Sequence, residues 1–299
     1  INHNMFPSDL SVMRYNIVLL SMVLSLSLAG CGKSDRADRQ DKPLIAVSIE
    51  PLRNIVERIA GDNFDVITIL DKGANPETFD PSMSKRAAAD RSAVFFTVGA
   101  FPFEEAIEKS GSDKSKAVDV SDGIKRLYGT HGQRAGHECG HAGDPHTWTS
   151  VRNMRVMAGK ITDYLSEIDP DHAEEYKARS VSLSAELDSI DQKISERLSG
   201  AKPRAFAIWH PSLGYFANDY GLKQIAVGEE SKEISPRRLK EIIAGAAGDS
   251  VRVFFFQKEY DSRQAEAINE QLGSRIVNID LLGYDWLSQI EAITDELTE

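Results

Sequence analysis

Asp171-His-Ala-Glu-Glu-Tyr-Lys-Ala-Arg-Ser-Val-Ser-Leu-Ser-Ala-Glu-Leu-Asp-Ser-Ile-Asp-Gln-Lys-Ile-Ser-Glu-Arg-Leu-Ser199 is the longest helical pattern in this chain. Tyr176, Leu183, Leu187, Ile190, Ile194 and Leu198 recur at helical spacing. Asp169-Pro170-Asp171 reads as a turn and cap, and Gly200 and Pro203 are stop signals. At 1.5 Å per residue the run spans about 43 Å. A helix of that length crosses a domain rather than covering one sheet. The plainer alternative is a surface helix with an ordinary core-facing stripe.

Strands alternate with helices on both sides of it. Before it, strand patterns at Leu44–Ile49, Asp65–Leu70, Ala93–Val98 and Lys116–Val120 are separated by helical patterns at Leu52–Ala60, Ser82–Ala89 and Phe103–Lys109, and the helix Val151–Glu167 follows. After it, strands are expected at Arg204–Ile208, Val251–Phe256 and Arg275–Ile279. Helices are expected at Leu213–Tyr220, from Ser235-Pro236 to Ala246, at Ser262–Leu272 and at Trp286–Leu297. This alternation indicates an α/β chain: two (βα) lobes with mainly parallel sheets, joined by one long backbone helix. The lobes are expected at 43–170 and 201–299, with 171–200 linking them, and about 257 residues suffice for two such domains.

The first thirty residues read as a targeting segment. Met13-Arg14 begins a positive region, with residues 1–12 upstream of that start, and Ile17–Leu28 is an apolar run too short to span a bilayer. Leu28-Ala29-Gly30-Cys31 resembles a lipoprotein cleavage site, which makes Cys31 the lipid-carrying residue and 31–42 a solvated tether on the order of 20 Å long. The folded part is then expected outside the cytoplasm, held at a bacterial membrane on its periplasmic or exterior side. The net charge of −11 argues against nucleic acid. Asp9 and Arg14 cancel, so removing the leader leaves that charge unchanged. Only Cys139 remains, which excludes an intramolecular disulfide.

Residues 130–143 are rich in Gly and His. His131, His137, His141 and, just beyond, His146 are four of the chain's seven histidines, and such tracts read as metal-binding. Cys139 either joins a weak metal site there or is an incidental thiol. His131, His137 and His141 are either a low-affinity metal collector or solvated loop residues. His172 reads as a surface residue of the long helix, and His3 falls in the leader.

Ligands of open α/β sheets collect beyond the carboxyl ends of strands. Glu77, His146, His210 and Asp280 stand at or near such positions, each beside a proline or turn. Two imidazoles and two carboxylates form a donor set for a divalent metal. Trp148, Trp209, Tyr215 and Phe216 flank them and read mostly as core packing.

Gly73-Ala-Asn-Pro-Glu-Thr-Phe-Asp-Pro81, Asp144-Pro-His-Thr-Trp148, His210-Pro-Ser-Leu-Gly-Tyr-Phe216 and Val277-Asn-Ile-Asp280 resemble, in order, the four metal-site segments of the zinc/manganese-binding proteins of ABC importers. The resemblance covers the chain from about Leu44 onward. It implies two lobes on a rigid helix with the metal in the cleft, His146, His210 and Asp280 as ligands, and an ABC permease with its ATPase as partners of a monomeric binding protein. Glu77 departs from the pattern, because that family usually has histidine after this proline. Either Glu77 is a ligand in its own right, or three ligands and water hold the metal. Imidazoles suit zinc and carboxylates manganese; the histidine-rich loop tilts the expectation to zinc, with manganese as the alternative.

Two other readings compete. A surface adhesin or zinc reservoir would use the loop as its main site. A metallohydrolase would need an open coordination position and a base, and the chain has no His-Glu-x-x-His, Gly-x-Ser-x-Gly or phosphate loop. The expectation is a binding protein rather than an enzyme.

Overall fold

The computed structural model describes residues 42–111, 117–128, 143–228, 236–260 and 262–299. The leader, Cys31, nearly all of the tether, the loop residues His131, His137, Cys139 and His141, the start of the fourth strand pattern at Lys116 and the cap at Ser235 lie outside them.

Two four-stranded parallel sheets form. Strands β1 (Leu44–Val47), β2 (Asp65–Thr68), β3 (Val94–Thr97) and β4 (Ala117–Asp119) lie in the order β2-β1-β3-β4. Strands β5 (Ala205–Ile208), β6 (Lys223–Ala226), β7 (Val253–Gln257) and β8 (Arg275–Ile279) repeat that order as β6-β5-β7-β8. The inner strands β3, β5 and β7 are buried throughout, as expected of parallel strands covered on both faces. The edge strand β6 has no counterpart in the sequence reading. Its four residues, Lys-Gln-Ile-Ala, begin with two polar side chains and lack the apolar run that marks the others.

Helices α1 (Glu50–Ala60), α2 (Met83–Arg91), α3 (Pro102–Ser110) and α4 (Val151–Ile168) belong to the first half of the chain. Helix α5 (Ala173–Ser199) is the long one, and α6 (Gly214–Tyr220), α7 (Pro236–Gly248), α8 (Ser262–Leu272) and α9 (Trp286–Thr298) follow. At 27 residues α5 is about 40 Å long. It begins after a separate short turn, Pro170–His172, whose His172 is hydrogen-bonded to Asp169 at 2.9 Å. Its buried stripe of Tyr176, Leu183, Leu187, Ile190, Ile194 and Leu198 is the one the spacing marks. Along its length it packs on α4, on α1 of the first lobe and on α9 of the second. Arg58–Glu186 (2.5 Å) and Arg152–Asp191 (2.9 Å) tie its exposed flank to α1 and α4.

One large core runs from the first sheet through α4 and α5 to the second, taking in Ile45, Phe95, Trp148, Leu187, Phe206, Phe255 and Trp286. A smaller core under α7 and α8 holds Trp209, Ile242, Phe254, Phe256 and Ile268. The split follows the two-residue period of β7, which sends Phe255 to one face and Phe254 and Phe256 to the other. Among the described residues no helix is long and apolar enough to cross a membrane.

The turn after β3 rests on a buried carboxylate. Glu104 accepts the backbone N–H groups of Val98 (2.9 Å), Ala100 (2.9 Å) and Phe101 (3.0 Å). Burial pushes its carboxyl above the usual range, and the three amides pull it back. Phe101, fixed in this way, packs against Trp148, which lines the site described next.

Candidate metal centre

Glu77 follows β2 in a turn closed by Asn75, whose side-chain oxygen accepts the Glu77 N–H at 2.9 Å. Two residues on, Phe79 meets Phe103 edge-on, Phe103 stacks on Phe101, and Phe101 meets Trp148. This aromatic series joins the Glu77 turn to the segment carrying His146.

His146 is buried, and its orientation is set by Asp144. One oxygen of that carboxylate accepts both the His146 backbone N–H (2.9 Å) and Nδ1–H (2.8 Å). The proton therefore sits on Nδ1, and the Nε2 lone pair faces the cavity, the arrangement found behind metal-binding imidazoles. The Asp144 carbonyl in turn accepts the hydroxyl of Tyr215, from α6 of the other lobe, at 2.9 Å.

His210 ends β5. Gln257, at the end of β7, brackets it by accepting its N–H (3.2 Å) and donating to its carbonyl (2.6 Å). Tyr260 stacks on its imidazole with 5.4 Å between ring centres.

These three side chains converge. His146 Nε2 and His210 Nε2 are 3.2 Å apart, and Glu77 Oε1 is 3.3 Å from His210 Nε2. All three donor atoms lie within 4.8 Å of one another. Nitrogen and oxygen ligands about 2.0–2.1 Å from a tetrahedral zinc stand about 3.3 Å from each other. The observed spacings match those edges. The donors line a cavity with about 10 Å³ of room, enough for one water-sized body.

Asp280 is not in the group. It stands at the end of β8 as expected, but its Oδ2 is 3.0 Å from Lys258 Nζ, and Leu281 and Leu282 form the cavity wall there. Two relevant residues escape the sequence reading. Asp144 had a signal in its i, i+2 spacing to His146. Glu259 lines the cavity just past β7, a strand-end position like the others, without a proline to mark it. Burial pushes its carboxyl up to about 7, and the charge of Asp280 pushes the same way. Trp148, Trp209, Tyr215 and Phe216 are all buried.

Asp144→Ala is expected to weaken metal binding tenfold or more, because it leaves Nδ1–H unpaired and frees the ring to turn. Asp144→Asn, which keeps an acceptor oxygen, should lose less. Competition with a chelator measures both, and unchanged affinity in the alanine variant would make the hydrogen bond incidental.

Two parallel α/β lobes on one long helix, with imidazole and carboxylate donors meeting between them, define a solute-binding protein of the metal-binding, helix-linked class. The chain belongs to the ZnuA family, described as the periplasmic component A of the zinc-uptake complex, whose model matches residues 45–299. It is 26% identical over 293 residues to the zinc-binding lipoprotein AdcA of Streptococcus pneumoniae, covering 94% of this chain and 56% of that protein. The chain thus spans little more than half the length of that relative. A putative metal-binding protein of Treponema pallidum is 24% identical over 274 residues, covering 88% of this chain and 85% of that one. Among solved structures, ZnuA superposes with a TM-score of 0.79 at 29% identity, covering 86% of this chain and 98% of that one. A ZnuA deletion mutant with zinc bound gives 0.78 at 29% identity, covering 86% and 97%.

Proposed function

We propose that this chain captures a divalent transition metal, zinc in preference to manganese, outside the cytoplasm and delivers it to an ABC permease and its ATPase for uptake. The observation that carries the reading is the 3.2 and 3.3 Å spacing of donors on Glu77, His146 and His210 across the two lobes. The His146–Asp144 bond supports it, as does the zinc named for AdcA and for the ZnuA crystal. Bare affinity of a nitrogen and oxygen site runs higher for zinc than for manganese. The lobe division at 43–170, 171–200 and 201–299, the anchor at Cys31 and the monomeric state belong to the same proposal. The small cavity speaks for cargo rather than for a substrate turned over beside a metal, so we read the chain as a binding protein and not an enzyme.

Titration calorimetry with zinc and with manganese tests this. One equivalent of zinc bound more tightly than manganese is expected, and absence of a stoichiometric site overturns it.

The reservoir reading makes His131, His137, His141 and Cys139 the principal site. Deleting residues 130–143 separates the two. The uptake reading expects the tight site to survive with affinity within about threefold, and the reservoir reading expects tight binding to vanish.

A further inference from the structure

Glu77 stands on less regular backbone than its two partners in the centre. His146 and His210 have their backbone gripped by Asp144 and Gln257, whereas Glu77 sits inside Asp71–Pro81, a turn that belongs to no helix or strand. The turn's own bonds shape its middle. The Ala74 N–H reaches the Asp71 carbonyl (3.0 Å), the Thr78 N–H reaches the Asn75 carbonyl (3.2 Å), and Asn75 accepts from Glu77. Its two ends are tied instead by the helix that follows, α2.

Lys85 of α2 reaches back over the whole turn. Its Nζ donates to the carbonyls of Thr68 (3.3 Å) and Ile69 (2.5 Å), where β2 ends, and pairs with Asp71 at 2.6 Å. These contacts use the three donors an ammonium has. Its charge also stands 5.8 Å from the centre of the Phe79 ring. Ile69 is in turn held to β1, its N–H on the Val47 carbonyl at 2.9 Å. Arg86 ties the other end, donating through Nε to the Pro81 carbonyl (3.0 Å) and pairing with Asp80. The ion pairs add little, because Asp71 and Asp80 are 62% and 86% exposed. The bonds to the three carbonyls are what fix the backbone.

We propose that Lys85 and Arg86 are positioning residues of the metal centre: they close the neck of Asp71–Pro81 and so hold Glu77 within reach of His146 and His210 before the metal arrives. This rests on the reading of Glu77 as a donor. Neither cation lines the cavity, so each acts through the turn. With the neck untied Glu77 is in place only part of the time, and apparent affinity falls by that fraction. Such an effect exists only while residue 77 supplies a donor, which separates positioning from general support of the fold.

A double-mutant cycle on the full chain tests this, with zinc affinity read by chelator competition and metal-free thermal unfolding as the folding control. Lys85→Met and Arg86→Met should each weaken zinc binding about fivefold or more in the parent. Where residue 77 is already alanine, each should change it by less than about twofold. Equal losses in both backgrounds mark general loosening and overturn the inference, as does unchanged affinity in the parent. If Lys85→Met does not fold, the Arg86→Met arm decides alone. If Glu77→Ala binds zinc as tightly as the parent, the donor reading itself fails. If Glu77→Ala weakens binding while both methionine variants bind like the parent, only the positioning role fails.

Discussion

His210→Ala is expected to weaken zinc binding at least a hundredfold while the protein stays folded. His210 is the hub of the centre, since its Nε2 is the atom close both to His146 Nε2 at 3.2 Å and to Glu77 Oε1 at 3.3 Å. Removing it deletes one donor and the geometric link between the other two. A hundredfold loss corresponds to about 2.7 kcal/mol, modest for one metal–imidazole bond, because water enters the vacated position. The fold should tolerate the change, since Gln257 grips the backbone of residue 210 rather than its ring. Chelator competition gives the affinity, and metal-free thermal unfolding gives the control. A loss of less than tenfold would place the binding site elsewhere.

Trp148→Ala is expected to carry the largest stability cost, about 4 kcal/mol. The indole is 2% exposed and touches Phe101 and His146, and its Nε1–H donates across the lobes to the Leu281 carbonyl at 2.9 Å. Truncation leaves a cavity and strands that carbonyl. In a chain of this size the change lowers the midpoint of metal-free unfolding by about 10 °C. Trp148→Phe retains most of the buried area but not the donor, and should fall between the two. Metal affinity should drop in the alanine variant as well, since His146 loses the surface it rests on. A shift under 2 °C would mean that the indole is not a structural tie between the lobes.

Much of the fold could be read from periodicity. Ser262–Leu272 and Arg275–Ile279 have the ends the pattern marks, because turn residues bound them. β6 could not be read this way, since what makes it a strand is its backbone pairing with β5 rather than its own apolar content. The long helix was legible except at its start, where Pro170 sets up a tight turn before Ala173. At the site, Glu77, His146 and His210 each adjoin a proline that fixes the local chain, and the structure brings those three together. Asp280 shows the limit. A strand end can be located from sequence, but no local pattern reveals that its carboxylate meets Lys258, 22 positions earlier.

The large core shared by both lobes has a kinetic consequence. A receptor whose halves melt into one packed interior is already shaped for its cargo, so little of the interaction energy goes into ordering the chain. Tight capture then comes with slow spontaneous escape, because related binding sites differ mainly in their off-rates. Under the proposed delivery, timely release from such a stiff cradle falls to whatever docks against the exposed turns, and among the described residues Asp71–Pro81, carrying Glu77, is a partly exposed turn with a donor to withdraw.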